Sequence, residues 1–239
     1  MIKYIDFFET SSIQASLFVS TLVFSTSKIL RTILDLCSDK FDGDPVVLPL
    51  PENAPREIPR IILERKDKSL KLEISPVRFN LLGYKTKDEH KVVKNEFLKT
   101  DVELLNNINK KIGADCVRLA VVLERYCPRK EPAKDIATHF CKENYIKAPF
   151  DRPTSFELHS LKKYELIKSF DVNSWVRIKS GSVQFEKGVS RPIIVAHQDI
   201  NTSAELMDKR VYKDADISKF FNNVDNELDE ILKLYFPET

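Results

Sequence analysis

Glycine is scarce in this chain of 239 residues, which contains only five, at Gly43, Gly83, Gly113, Gly181 and Gly188. No two of them are close enough to form the glycine-rich loop with which dinucleotide- and nucleoside-triphosphate-binding proteins cradle a phosphate. Their spacing therefore argues against nucleotide enzymes of those two classes.

An excess of either charge is also missing. The sequence has 38 basic and 36 acidic residues, which gives a formal net charge of +2. So small a charge creates no global field that would draw the protein onto nucleic acid or an acidic membrane surface, although a local basic patch stays open. With 42% hydrophobic and 31% charged residues, the composition is that of an ordinary globular protein.

Closely spaced cysteines are missing too. The four cysteines lack the pair spacing of metal sites and mostly have apolar neighbours, at Cys37, Cys116, Cys127 and Cys141. Such cysteines are typical of buried thiols in a reducing compartment.

No apolar run is long enough to span a bilayer. The most apolar stretch, residues 13–24, is short and includes Gln14 and Ser20. The first residues include Asp6 and Glu9, where a secretory leader would carry basic residues. We therefore expect a cytoplasmic protein with no membrane association.

Periodic patterning, in contrast, is abundant. Alternating or continuous apolar residues predict strands over 13–24, 46–50, 60–65, 70–82, 115–126, 155–169, 174–186 and 192–200. Apolar residues that recur at three and four predict helices over 27–38, 86–112, 132–142 and 214–236. Residues 86–89 fit a capping box at the start of the second helix, and Gly113 is suited to end it. Pro76 interrupts the alternation of residues 70–82 and predicts an edge strand or a bulge there.

The same element order occurs in residues 1–113 and 114–239: a strand, a helix, a proline-rich connection, antiparallel strands and a long helix. This predicts an α+β fold of two similar halves, each a largely antiparallel sheet with amphipathic helices packed on one face. The order within each half would be ferredoxin-like, strand-helix-strand-strand-helix. The alternative is one continuous domain in which the order repeats by coincidence.

Several segments carry a family resemblance: PREIPRIIL, SPVRFNLLGYKTKDEH, DCVRLAVVLERY, PIIVAHQDINTS and DISKFFNNVDNELDEILKLYF. Together they resemble a sporadically distributed family of uncharacterised bacterial proteins, in which a strand of the form I-x-x-D-I also precedes a final amphipathic helix. The chain departs from that family in its proline-rich loop and in lacking a tryptophan after Gly83-Tyr84. The family has no assigned activity, so the resemblance implies a fold and a bacterial origin. Its patchy distribution suggests mobile or defence-associated genes.

Two histidine-carboxylate pairs could form a metal site. Glu157 and His159 are two residues apart on one predicted strand, and His197 and Asp199 on another, so each pair leaves one face of its strand. If the strands were neighbours, the four side chains could bind a metal for hydrolysis. The alternative, which we favour, is the solvated face of an antiparallel sheet. Asp135 and His139, four apart on a helix, are likewise either a general-base pair or an ordinary surface pair.

A basic cluster comprises Arg65, Lys66, Lys68, Lys71 and Arg78. Such residues could hold a nucleic-acid backbone, with nearby aromatic rings stacking on bases. Neighbouring acidic residues neutralise much of this charge, so we favour the alternative that these are solvated hairpin and helix faces.

The proline-rich loop is the candidate protein-binding segment. A pre-extended segment loses little entropy on docking, and the residues suited to contact are Pro51, Pro55, Arg56 and Pro59. A rigid connection across the sheet is the alternative. Trp175, the only tryptophan, is expected in the core, with an exposed contact patch as the alternative.

No catalytic motif stands out from these patterns. We therefore predict a non-enzymatic, intracellular bacterial protein that binds another macromolecule, with a protein as the expected partner and no cofactor. The alternative is a nucleic-acid-binding or RNA-processing protein with duplicated ferredoxin-like halves, and the third hypothesis is a metal-dependent hydrolase.

Overall fold

The computed structural model describes residues 2–7, 9–20, 24–51, 53–86, 93–147, 153–168, 170–184 and 190–238. The strands are β1 (Glu9–Val19), β2 (Val46–Val47), β3 (Ile61–Glu64), β4 (Leu70–Ile74), β5 (Arg78–Tyr84), β6 (Cys116–Pro128), β7 (Glu157–Leu166), β8 (Phe170–Gln184) and β9 (Ser190–Thr202). The helices are α1 (Thr26–Cys37), α2 (Lys94–Glu96), α3 (Val102–Ile112), α4 (Pro132–Phe140), α5 (Glu143–Ile146) and α6 (Asp214–Tyr235), with a π-helical segment, Phe97–Asp101, between α2 and α3.

The strands form one nine-stranded sheet in the order β2-β3-β4-β5-β1-β6-β9-β8-β7. Every pairing among the described strands is antiparallel, which confirms the predicted α+β class. The ferredoxin-like order is not confirmed, because it requires a parallel pair of strands joined through a helix. β1 and β6 lie side by side in the sheet, with Ala15 opposite Val121, so the sheet continues across the boundary predicted at residue 113.

The core lies between the helices and one face of the sheet. Alternate residues of the strands are buried, and Ala15 belongs to one apolar cluster with Leu105 of α3 and Phe220 of α6. At the other end, Ile136 of α4 clusters with Ile178 of β8 on the same face. The described helices thus lie on one face of the sheet. In the described part of the chain, no helix is long and apolar enough to cross a membrane.

Most predicted elements are found within a few residues, but the single strand predicted over 70–82 is wrong. Two strands, β4 and β5, pair with each other there, joined by a turn around Pro76. The Ser75 hydroxyl accepts the Arg78 N–H at 3.0 Å, and the Ser75 N–H donates to the Arg78 carbonyl at 2.9 Å. Alternation resumes after the turn with a changed phase, so the sequence of a tight hairpin resembles that of a bulged strand.

The second predicted helix is found from Lys94 onward. Its predicted capping box falls mainly on residues 87–92, which lie outside the described residues. Gly113 ends the helix as predicted: its φ of 73° is left-handed, and its N–H donates to the Asn109 carbonyl at 2.9 Å.

A network of four charged side chains lies where α2 and α6 meet β6. Asp229 forms ion pairs with Arg125, which is 4% exposed, and with Lys94, at 3.2 Å. Lys94 also pairs with Asp225 and donates to its carbonyl oxygen at 2.7 Å. Burial alone would raise the pKa of Asp229, but Arg125 and Lys94 outweigh it and hold that pKa below its ordinary value. The network therefore pairs two cations with two anions in a poorly hydrated part of the protein, and the charges balance.

Gly43 packs against the backbone of β3. A Cβ added at this position would lie 2.5 Å from the Glu64 carbonyl oxygen. We expect Gly43→Ala to lower the free energy of unfolding by about 1–3 kcal/mol in urea titrations, because the backbone must shift to make room. Gly181→Ala is the matched control, since its Cβ would meet Val195 at an ordinary 3.7 Å. Equal losses in the two variants would contradict this explanation.

Candidate binding surface

We call the face of the sheet opposite the helices the open face. Strand register places its side chains in rungs that cross several strands. Two rungs at the β7-β8-β9 end are Leu161-Trp175-Asp199 and His159-Arg177-His197. These side chains alternate along each strand with core residues, so the register determines which of them are neighbours on the open face.

Trp175 lies in the middle of β8 on the open face and is 36% exposed. The prediction that it is buried in the core is wrong, because its neighbours Ser174 and Val176 take the core-facing positions. Its ring packs against His159, with 4.9 Å between ring centroids. Leu161, on the same rung, is 41% exposed. An aromatic and an aliphatic side chain are therefore accessible side by side.

The four predicted metal ligands share the open face but not a metal-binding geometry. β8 separates β7 from β9, so that Arg177 stands between His159 and His197 on one rung. The Arg177 Nε lies 2.8 Å from a Glu157 carboxylate oxygen. Among the described residues, no group of three or more histidine, cysteine or acidic side chains could hold a metal. Asp199 is engaged elsewhere, since it accepts from the Asn201 amide at 2.9 Å.

Glu124 of β6 extends the histidine rung. Its carboxylate lies 3.8 Å from His197 Nδ1 and accepts a hydrogen bond from the Ser11 hydroxyl at 2.9 Å. The nearby His197 lowers the pKa of Glu124 most, and burial opposes it. Serine bonds to the carboxylate rather than to the imidazole, so the trio lacks the serine-histidine contact of a nucleophilic triad.

Amide side chains connect the middle of the open face. Asn201 accepts from Arg118 at 2.8 Å and from the Asn173 amide at 3.3 Å. On the next strands, Asn80 accepts from the Ser16 hydroxyl at 2.8 Å. These bonds hold polar groups in fixed positions along the centre of the sheet.

The structure brings only part of the predicted basic cluster together. Lys71 pairs with Glu73 at 2.6 Å, and that hydrogen bond raises the pKa of Lys71. Arg65 lies away from this pair, where its Nε donates to the Lys40 carbonyl at 2.9 Å. Arg78 is at the opposite end of β5 from the turn that carries Lys66 and Lys68. A groove of about 550 Å³ next to that turn brings together four of the chain's lysines, Lys66, Lys68, Lys71 and Lys85.

The proline-rich loop lies at the β2 edge of the sheet. Pro51, Pro55 and Arg56 are exposed and Pro59 is partly buried. The Arg60 guanidinium donates to the Ala54 carbonyl at 3.3 Å and fastens the loop to β3. Apolar side chains near this edge are also exposed, at Val46, Val47, Leu50 and Ile58.

His139 contacts the end of α6 and the adjacent Phe140 ring, whereas the predicted partner was Asp135. Its Nε2 lies 2.8 Å from the Tyr235 carbonyl oxygen, and its ring packs on Phe236 at 5.0 Å between centroids. His139 therefore connects α4 to α6.

Charges of both signs are interspersed on the open face. The register places cations there at Lys71, Arg78, Arg118, Lys163, Arg177, Lys179 and Arg191. It places anions there at Glu9, Glu64, Glu73, Glu124, Glu157, Glu165, Asp171 and Asp199. The face thus has no dominant sign.

Comparison with known proteins adds no identification: no protein-family model and no curated protein matches the chain.

Sequence reasoning missed Phe18, Arg118, Glu124 and Asn201 as members of this surface. Phe18, Arg118 and Glu124 occupy alternating positions of predicted strands, where such positions identify polar or half-exposed side chains, and Asn201 directly follows the strand predicted over 192–200. Which of them become neighbours depends on strand order and register, and these are fixed by contacts between distant segments.

Proposed function

We propose that the protein is a non-enzymatic binding protein and that its open face docks another protein around Trp175. The exposure of Trp175 in the middle of a strand carries the proposal. A large aromatic side chain held by a sheet loses little conformational entropy on binding. Tryptophan and arginine are also the residues most often found at energetic hot spots of protein interfaces.

The surroundings of Trp175 fit a protein partner. Leu161 adds apolar area, and Arg177 and Asp199 supply groups for a polar rim. Interfaces between proteins combine such an apolar centre with mixed polar surroundings. The interspersed charges disfavour a nucleic acid, because a phosphate backbone crossing the open face would meet carboxylates as well as cations.

Nucleic-acid binding is the second candidate. The groove lined by Lys66, Lys68, Lys71 and Lys85 favours it, with Tyr84 available for stacking. Glu64 and Asp67 line the same groove and reduce its charge. The proline-rich loop, with exposed Pro51 and Pro55, remains a further protein contact in our proposal.

The two halves are proposed to derive from one ancestral unit. In each, a strand and a helix are followed by a meander whose last strand returns beside the first: β5 beside β1, and β9 beside β6. The sequence resemblance supports a bacterial protein linked to mobile or defence genes.

The proposal is tested by capture from cell extract of the species that encodes the protein. Tagged wild-type chain and its Trp175→Ala variant are exposed to the extract after nuclease treatment, and retained proteins are identified by mass spectrometry. We expect one protein to be retained in stoichiometric amount by the wild type and lost from the variant.

The capture is repeated with extract that has not been treated with nuclease. If the wild type then retains only nucleic acid, and salt releases it steeply, the second candidate replaces the proposal. A partner retained equally by both chains would show that Trp175 is outside the interface. Leu234→Ala is the control, because this side chain on the helix-covered side is 80% exposed and should not matter.

A further inference from the structure

Phe18 lies between two arginines on the open face. Arg78 of β5 and Arg118 of β6 are its direct partners across the strands. The guanidinium carbons lie 5.8 Å and 4.8 Å from the centre of the Phe18 ring, within the range of cation-π contacts. Two permanent positive charges are therefore held beside one aromatic ring.

In the described part of the chain, neither guanidinium forms a direct ion pair, although Asp199 interacts electrostatically with Arg118. Among the described residues, Arg118 donates only to neutral acceptors, the Thr202 carbonyl at 3.2 Å and the Asn201 amide oxygen at 2.8 Å. Arg78 makes the ring contact, and its buried Nε has no hydrogen-bond partner among the residues that the structure describes. A buried donor without an acceptor is unusual in a folded protein.

The two side chains are held in place before any ligand arrives. The Asn201 and Thr202 bonds fix Arg118, while the turn at Ser75 anchors the backbone of Arg78 through the bond at 3.0 Å. Charged groups held in position in this way bind an anion without a large ordering cost.

We propose that Arg78 and Arg118 form a binding site for a side-chain carboxylate of the protein that docks on the open face. The inference rests on the proposed function and adds the chemistry that the partner must present. A guanidinium pairs with a carboxylate through two parallel hydrogen bonds. Anionic Glu73 lies one rung from Arg78, and Asp199 lies two rungs from Arg118. They leave room for an isolated carboxylate but repel a run of phosphates.

A peptide titration tests the site without the partner. Hexaglutamate, a peptide of the same length with glutamine, and a short oligothymidylate are titrated into the full chain, followed by the side-chain N–H signals of its arginines in NMR spectra. We expect hexaglutamate to shift the Nε–H signals of Arg78 and Arg118, and the glutamine peptide to leave them unchanged. Arg78→Gln and Arg118→Gln should each weaken the binding at least about tenfold.

Lys163→Gln is the matched control, because Lys163 is on the same face but already paired with Glu205 at 3.2 Å. Its binding of hexaglutamate should equal that of the wild type. The site is refuted if hexaglutamate leaves both arginine signals unshifted, or if the oligothymidylate shifts them at lower concentration than hexaglutamate. Signals are read on the wild type, so a variant that fails to fold does not obscure the result. Failure of partner capture with a positive titration would refute the proposed function and leave the anion site standing.

Discussion

Replacing Asp229 by alanine is expected to lower the free energy of unfolding by about 3 kcal/mol or more, because it leaves the buried Arg125 without a carboxylate. Arg125 is on the helix-covered face of β6, where water cannot easily replace the lost partner. Lys94 would keep Asp225 and could not compensate. Chemical denaturation at pH 7 measures the change.

Two comparisons separate this effect from a general weakening of α6. Asp214→Ala removes an acidic residue of the same helix, but its pair with Lys110 is largely exposed and should contribute no more than about 1 kcal/mol. The double variant Arg125→Met, Asp229→Leu removes both charges and should recover most of the loss. If the double variant is as unstable as Asp229→Ala, the unpaired charge is not the cause.

The same ion pair predicts a dependence on pH. The pKa of Asp229 in the folded protein lies below its ordinary value of 3.8, so the carboxylate is stabilised by folding. Its contribution is complete above the pKa of the unfolded chain and is lost as pH falls through the folded-state pKa. The stability difference between wild type and Asp229→Ala should therefore be constant near neutral pH and shrink below about pH 4.

Local patterns explain why most elements could be predicted. The apolar stripe of α6 recurs at three and four, because the helix lies against the sheet along its whole length. β6 is recognisable from its run of apolar residues between Leu119 and Leu123. β1 was harder to delimit, because its first residues, from Glu9 to Ser12, are polar on both faces.

The binding surface could be predicted only in part, because it is a product of register. Alternation places His159 and His197 on exposed positions of their strands, but only the strand order puts Arg177 between them. Likewise, Arg125 follows the alternation of β6 inward, where an arginine is unexpected. Its partner, Asp229, is more than a hundred residues away, and no local pattern identifies such a pair.

When a partner protein has been identified, Trp175→Ala is expected to weaken binding of that partner by about 2 kcal/mol or more, which is roughly a thirtyfold rise in Kd. The indole would fill a pocket on the partner, with Leu161 beside it. Because Trp175 is partly exposed, its removal should change the free energy of unfolding by less than about 1 kcal/mol. Calorimetric titration measures the Kd, and denaturation checks the fold.

Trp175→Phe distinguishes a hot spot from a passive contact. Phenylalanine keeps an aromatic ring over His159 and should retain part of the affinity, whereas alanine exposes the backbone of β8 to water. An unchanged Kd in both variants would place the interface elsewhere, with the exposed edge of β2 and the proline-rich loop as the next surface to examine. A loss in Trp175→Ala that appears mainly in the dissociation rate would indicate short-range packing, since long-range charge attraction acts mainly on association.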